Sequence, residues 1–187
     1  MPHNGQITKL EMAERLALDA LKSGDIDRRL GGFLIYSGIV DFIAIQAARL
    51  VEQIILKGRL ADGKQPSFQP KEDDYFHDHH ISTRAILKGI RNLLPFNSAS
   101  EPERAKIITD LAEQMVGLGL RFLQYRNPIV HSIGDPRRKF EDIVSLCDKA
   151  IVTYGRFREA HTTFFTAAAP YRFSEKELQY FYSRRVS

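Results

Sequence analysis

The chain has 187 residues, 43% of them hydrophobic, with a formal net charge of +4 and six histidines besides. That length bounds it to one domain, or one domain with appendages, able to bury a real core. A single cysteine, Cys147, excludes an internal disulfide framework and fits a reducing cytoplasm, and the polar start Met1-Pro2-His3-Asn4-Gly5 has no signal-peptide pattern.

Thr8-Lys9-Leu10-Glu11 has capping-box form and opens a first helix that ends near Ser23-Gly24. Its apolar positions Leu10, Ala13, Leu16, Leu18 and Leu21 fit a helix better than a strand. A second helix runs from about Asp25 to Lys57. Between Leu30 and Ile45 it is apolar on nearly all faces, interrupted by Asp41 and by Gly31, Gly32, Ser37 and Gly38. That stretch is too short and too interrupted for a membrane span. It must be covered, either wholly by its own chain or in part by a second subunit. Asp41 would be costly there without a partner, so it is expected to meet an arginine or a polar network.

Gly58 to His80 reads as an irregular insertion. Its segment Asp73 to His80 is rich in metal-ligand types but matches no tetrahedral zinc spacing, so it reads as a solvated loop and no metal is expected. A shorter helix spans about Ser82 to Leu94, closed by Pro95. Ser100-Glu101-Pro102-Glu103 combines a capping box with an early-turn proline. The helix it opens carries Ile107, Ile108, Leu111, Met115, Leu118 and Phe122 at spacings of three and four. Asp135-Pro136 opens the last long helix, to about Thr166. The tail, 171–187, contains a short helix from Ser174 with Glu177 completing another capping box. No strand pattern stands out. The expectation is an all-α single domain, 1–187: an up-and-down bundle of four main helices plus short extras, with its core at about 8–166.

The segment that carries chemistry is Arg126-Asn127-Pro128-Ile129-Val130-His131. A permanently charged guanidinium and an imidazole that titrates near neutrality suit work on a phosphodiester, one holding negative charge and one moving protons. The spacing alone decides nothing, since Arg156 and His161 repeat it. The setting differs: Pro128 removes a donor and clashes with the carbonyl four residues back, so the helix is expected to end or kink at about Asn127. Such a break would let His131 swing toward Arg126. Arg156 and His161, in unbroken helix, would point about 140° apart. The bland alternative is Arg126 as a C-terminal helix charge and His131 as a loop hydrogen bonder.

This segment resembles the Arg-x4–6-His motif of the HEPN superfamily, in which a polar residue often follows the arginine, as Asn127 does here. The long apolar second helix, and the position of the motif at the end of a later core helix, are similar too. The resemblance implies an HEPN-like helical fold and a metal-independent endoribonuclease without cofactor, working as a homodimer with two motifs facing each other. It implies that His131 moves the proton of the RNA 2′-hydroxyl, that Arg126 stabilises charge developing on phosphorus, and that Asn127 orients substrate. A cytoplasmic toxin or phage-defence role, with an antitoxin or regulatory protein as partner and no membrane, follows from the same resemblance. Ile133 stands where HEPN toxins often carry a tyrosine, so antitoxin modification of that residue is not implied. Other HEPN domains are non-catalytic dimerisation or interaction modules, which is the alternative function.

Arg137, Arg138 and Lys139 are candidate RNA-backbone contacts, or else a solvated first helical turn where positive charge is mildly unfavourable. His161 shares a helical face with Cys147, Ile151 and Tyr154 and reads as a hydrogen-bonded interior or interface histidine. The aromatic and arginine residues of the tail either stack bases or dock the tail on the bundle, with docking favoured.

Overall fold

Helix starts follow local capping chemistry. In this computed structural model, which describes residues 8–64, 81–132, 137 and 139–183, the Thr8 hydroxyl accepts from the Glu11 amide at 3.2 Å, and the Glu11 carboxylate accepts from the Thr8 amide at 2.7 Å. This capping box opens α1 (Lys9–Leu21). Asp25 caps α2 (Ile26–Ala61) by accepting from the Asp27 amide at 2.9 Å, and Ser82 caps α3 (Thr83–Asn92) through the Ala85 amide. Then follow α4 (Pro102–Ser132), α5 (Phe140–Ala167), a 3-10 turn (Ala169–Tyr171) and α6 (Glu175–Ser183). The Glu177 carboxylate accepts from the Ser174 amide at 2.6 Å, completing the box that opens α6. The described residues contain six α-helices and no strand, so the protein is all-α.

The apolar character of α2 makes it the centre of the packing. α1 folds back onto its N-terminal half, so close that a Cβ at Gly32 would lie 2.7 Å from the Ala17 carbonyl oxygen. Only glycine fits there. α3 packs on the C-terminal half of α2. α4 and α5 pair in opposite directions: Phe122 meets Tyr154, Gly119 meets Phe157, and Glu101 meets Tyr171 just beyond α5. Tyr36 of α2 stacks on Tyr154 at 3.9 Å, and Phe33 stacks on Phe122 at 5.8 Å. Phe33, Phe122, Phe157 and Phe164 are fully buried. Each such side chain contributes roughly 1.5–3 kcal/mol.

Sequence expectations fail where tertiary contacts overrule local signals. α2 continues one turn past Lys57 to Ala61, because Gly58 is buried against the loop before α4 rather than ending the helix. By length and composition this 36-residue helix could cross a membrane; 56% of its most apolar window is buried inside the molecule. Ser100 makes no capping box: its amide and hydroxyl both donate to the Asp62 carboxylate, 38 residues away in sequence. α5 opens at Phe140, with extended Lys139 at its N-cap, rather than at Pro136. Asp135, Pro136 and the Asp73 to His80 segment lie outside the described residues.

The largest correction concerns Pro128. α4 does not end at Asn127 but runs through the proline to Ser132. Proline costs a helix interior roughly 3 kcal/mol, yet the turn that follows carries Ile129, fully buried in the main core. That burial, and the length of the α4–α5 contact before it, offset the lost hydrogen bond. The carbonyl left without its donor belongs to Gln124, an exposed residue where water can serve.

Candidate functional site

Helical geometry decides what the motif can bring together. In an unbroken α4, Arg126 and His131 point about 140° apart around the axis. The expected convergence of these two side chains within one chain is therefore overturned. Asn127 and His131, four residues apart, share one face with the intervening Val130, and all three are exposed. Arg126 points instead toward the body of the protein. The backbone contrast expected with Arg156 and His161 vanishes, because both pairs lie in continuous helix.

Arg126 meets Asp41, as the apolar surroundings of that carboxylate led one to expect. Its Nη1 donates to Asp41 Oδ1 at 2.9 Å and its Nη2 to Oδ2 at 3.3 Å, a two-pronged pair. The Thr83 hydroxyl, at the first position of α3, donates to the same Oδ1. Both charged side chains remain about a third exposed, 27% for Arg126 and 36% for Asp41. They line an open pocket of about 350 Å³ with Thr83, Ser82, Ile45, Ile81 and Ile86. Two of the five guanidinium N–H groups are used by Asp41, and among the described residues no other acceptor takes the remaining three. Sequence singled out Asp41 but not Thr83, which carries no local signal of its role.

Beside this pocket, no helix among the described residues covers the outer face of α2. Gly31, Leu34, Gly38 and Phe42 are exposed on it, Leu34 to 48% and Phe42 to 52%. A Cβ at Gly31 or Gly38 would meet nothing within 4 Å. The candidate RNA contacts Arg137 and Lys139 are exposed and precede α5, so they do not form its first turn; Arg138 and Ile133 lie outside the described residues.

His161 belongs to a separate network that ties α1 to α5. Tyr154 Oη and Arg158 Nε both donate to Glu14 Oε1, at 2.6 and 2.7 Å, and Arg158 Nη1 lies 2.7 Å from His161 Nδ1. A guanidinium only donates, so Nδ1 accepts and Nε2 carries the ring proton. Burial, reinforced by the Arg158 charge, pushes the His161 pKa down to about 4. Burial and the Glu14 bond push the Tyr154 hydroxyl up. Burial likewise raises the Cys147 thiol. His161 is thus a neutral, partnered imidazole.

The tail docks where it is described. Tyr171 Oη donates to Glu101 Oε2 at 2.6 Å, and Phe173 packs on Leu56. Lys57 Nζ donates to the Arg172 carbonyl at 2.6 Å and sits 5.0 Å from the Phe173 ring centroid. Among the described residues, no three His, Cys, Asp or Glu side chains converge as metal ligands would. No family model, curated protein or solved structure matches the chain.

Proposed function

We propose that this chain is a metal-independent endoribonuclease of HEPN type that completes its site by pairing with a second copy. The observation that carries the reading is the Arg126 guanidinium, fixed by Asp41 at the wall of an open pocket, on the same helix end as the exposed Asn127 and His131. Within one chain the arginine and the imidazole face different ways. Two copies related by a twofold axis would place one motif opposite the other. The N-terminal part of that α2 face, where Gly31 and Gly38 permit close approach, supports such pairing and leaves Phe42, a turn further along, outside it.

The chemistry follows from those groups. One His131 takes the proton of the RNA 2′-hydroxyl as its oxygen attacks phosphorus. A second His131 gives a proton to the departing 5′-oxygen, leaving a 2′,3′-cyclic phosphate and a 5′-hydroxyl. Arg126 stabilises the charge on the non-bridging oxygens, and Asn127 orients the strand. Asp41 acts as a positioning residue, holding the guanidinium in one geometry. No cofactor takes part. A cytoplasmic toxin or phage-defence role fits an activity that must be restrained, with an antitoxin or regulatory protein as the restraint.

One observation favours a second reading, a non-catalytic helical module that regulates a partner protein: Asp41 already neutralises much of the Arg126 charge. Total RNA incubated with the protein in EDTA separates the two. The nuclease reading expects cyclic-phosphate ends from the wild type, and loss of cleavage by at least about 100-fold in His131→Ala. Asp41→Asn, which keeps the shape but not the charge, should lower cleavage too. Intact RNA at high protein concentration favours the module. Light scattering should give about 43 kDa, twice the 21.4 kDa chain; a monomer at micromolar concentration counts against a shared site.

A further inference from the structure

We propose that a second recess, between the outer face of α2, the C-terminal part of α5 and the segment that follows it, holds a nucleotide of single-stranded RNA away from Arg126. The substrate class rests on the nuclease reading; the residues are different ones. The recess has a volume of about 380 Å³, and its walls include Phe42, Gln46, Arg49, His161, Phe165 and Arg172. That volume lies within the range of roughly 300–1,000 Å³ that suits small-molecule sites.

Its chemistry is one-sided. None of its described lining residues is a carboxylate, whereas two are arginines. Glu14, which pairs with Arg158 beside His161, is committed to Tyr154 and Arg158. His161 is held neutral with Nε2 as its donor, because Nδ1 accepts from Arg158. Arg172 lies over the Phe165 ring, its Cζ 5.3 Å from the centroid, and the His161 ring braces Phe165 at 4.3 Å. The arginine is thereby anchored while staying exposed. Phe42, 52% exposed and with no ring stacked on it among the described residues, offers a flat apolar surface beside it. A ligand that matches has a planar ring for Phe42 and an anionic group for Arg172. A nucleotide has both. Base stacking on an aromatic with a phosphate on arginine is the common mode of single-strand binding.

The assay titrates the full chain with a fluorescein-labelled 2′-O-methyl RNA hexamer, which 2′-hydroxyl attack cannot cleave, and reads anisotropy. The wild type should bind. Arg172→Gln and Phe42→Ser, both at exposed positions, should each weaken binding about tenfold, whereas Lys106→Gln, which removes an exposed charge near the start of α4 and outside both recesses, should change it by less than about threefold. Binding should also fall with added salt, more steeply for the wild type than for Arg172→Gln. Unchanged binding in both recess variants overturns the proposal, as does a wild type that binds no hexamer. AMP binding as tightly as the hexamer overturns the RNA assignment in favour of a free nucleotide. RNA left uncut while hexamer binding depends on Arg172 and Phe42 removes the nuclease reading and leaves this one standing. Cleavage with hexamer binding indifferent to both residues does the reverse.

Discussion

Replacing Pro128 by alanine tests the continuity of α4, on which the whole site geometry depends, and the sign of the outcome decides. In a helix interior proline is roughly 3 kcal/mol worse than alanine. Pro128 lies in the penultimate turn of α4, which ends at Ser132, and the carbonyl it leaves without a donor belongs to the exposed Gln124. Water and fraying near the end therefore relieve part of that cost, leaving about 1.5–2 kcal/mol to recover. Against this, losing proline frees the unfolded chain, which costs about 0.4–1 kcal/mol. The net expectation is a gain of about 1 kcal/mol, or about 2–4 °C in Tm for a chain of this size. Urea denaturation followed by circular dichroism, with wild type and Pro128→Ala at equal concentration, measures it. If the chain instead left the helix at Asn127, the unfolded-state effect alone would act, and the variant would lose about 0.4–1 kcal/mol. A loss, or no change, refutes the continuous helix and restores the possibility that His131 turns back toward Arg126.

Two helical glycines should respond in opposite directions. Gly32→Ala places a methyl 2.7 Å from the Ala17 carbonyl oxygen and should cost about 1–3 kcal/mol in urea denaturation; Gly155→Ala, on the exposed side of α5, meets nothing within 4 Å and should gain about 0.5–1 kcal/mol. Equal effects would refute the close α1–α2 crossing. His161 predicts a pH dependence. Its pKa falls from about 6.5 unfolded to about 4 folded, so the unfolded state binds more protons between those values. The stability that this depression supplies is present above about pH 6.5 and is lost as pH falls toward 4. Allowing for the solvent that reaches the ring, the wild type should lose about 1–2 kcal/mol more than His161→Gln between pH 7 and pH 4. Parallel denaturation curves for the two proteins would show that burial and Arg158 do not hold the imidazole neutral.

What the sequence disclosed and what it hid divide by the range of the interaction. The caps at Thr8 and Ser174, and the helix starts near Asp25 and Ser82, were legible because an N-cap bond closes within three residues. Ser100 looked like another such cap, but the carboxylate that captures it arrives from the end of α2, and no local pattern announces a partner 38 positions away. Pro128 failed in the same manner. Its local rule is sound, and the burial of Ile129 outweighs it. At the site, the need of Asp41 for a cation could be read from its apolar neighbours. Which of 17 arginines would answer could not, and Thr83 gave no sign at all.

The unbroken helix changes the meaning of the Arg126–His131 spacing. Five residues of straight helix separate the two side chains around the axis, so the spacing cannot by itself assemble an acid–base pair and a charge clamp on one phosphate. It does assemble Asn127 with His131 on an exposed face, and it turns Arg126 inward to Asp41. The second match, Arg156 and His161, has the same backbone but the opposite environment. There the imidazole is half-buried and committed to Arg158, while the one at position 131 is open to solvent at a helix end. Exposure, rather than spacing or a helix break, is what separates the two matches. An inward arginine and an outward histidine at one helix end can act on the same phosphate only if a second surface brings the complementary group. For this reason the oligomeric state and the cleavage assay stand or fall together: RNA cleavage by a strictly monomeric protein would require Arg126 to release Asp41 and reach around its own helix.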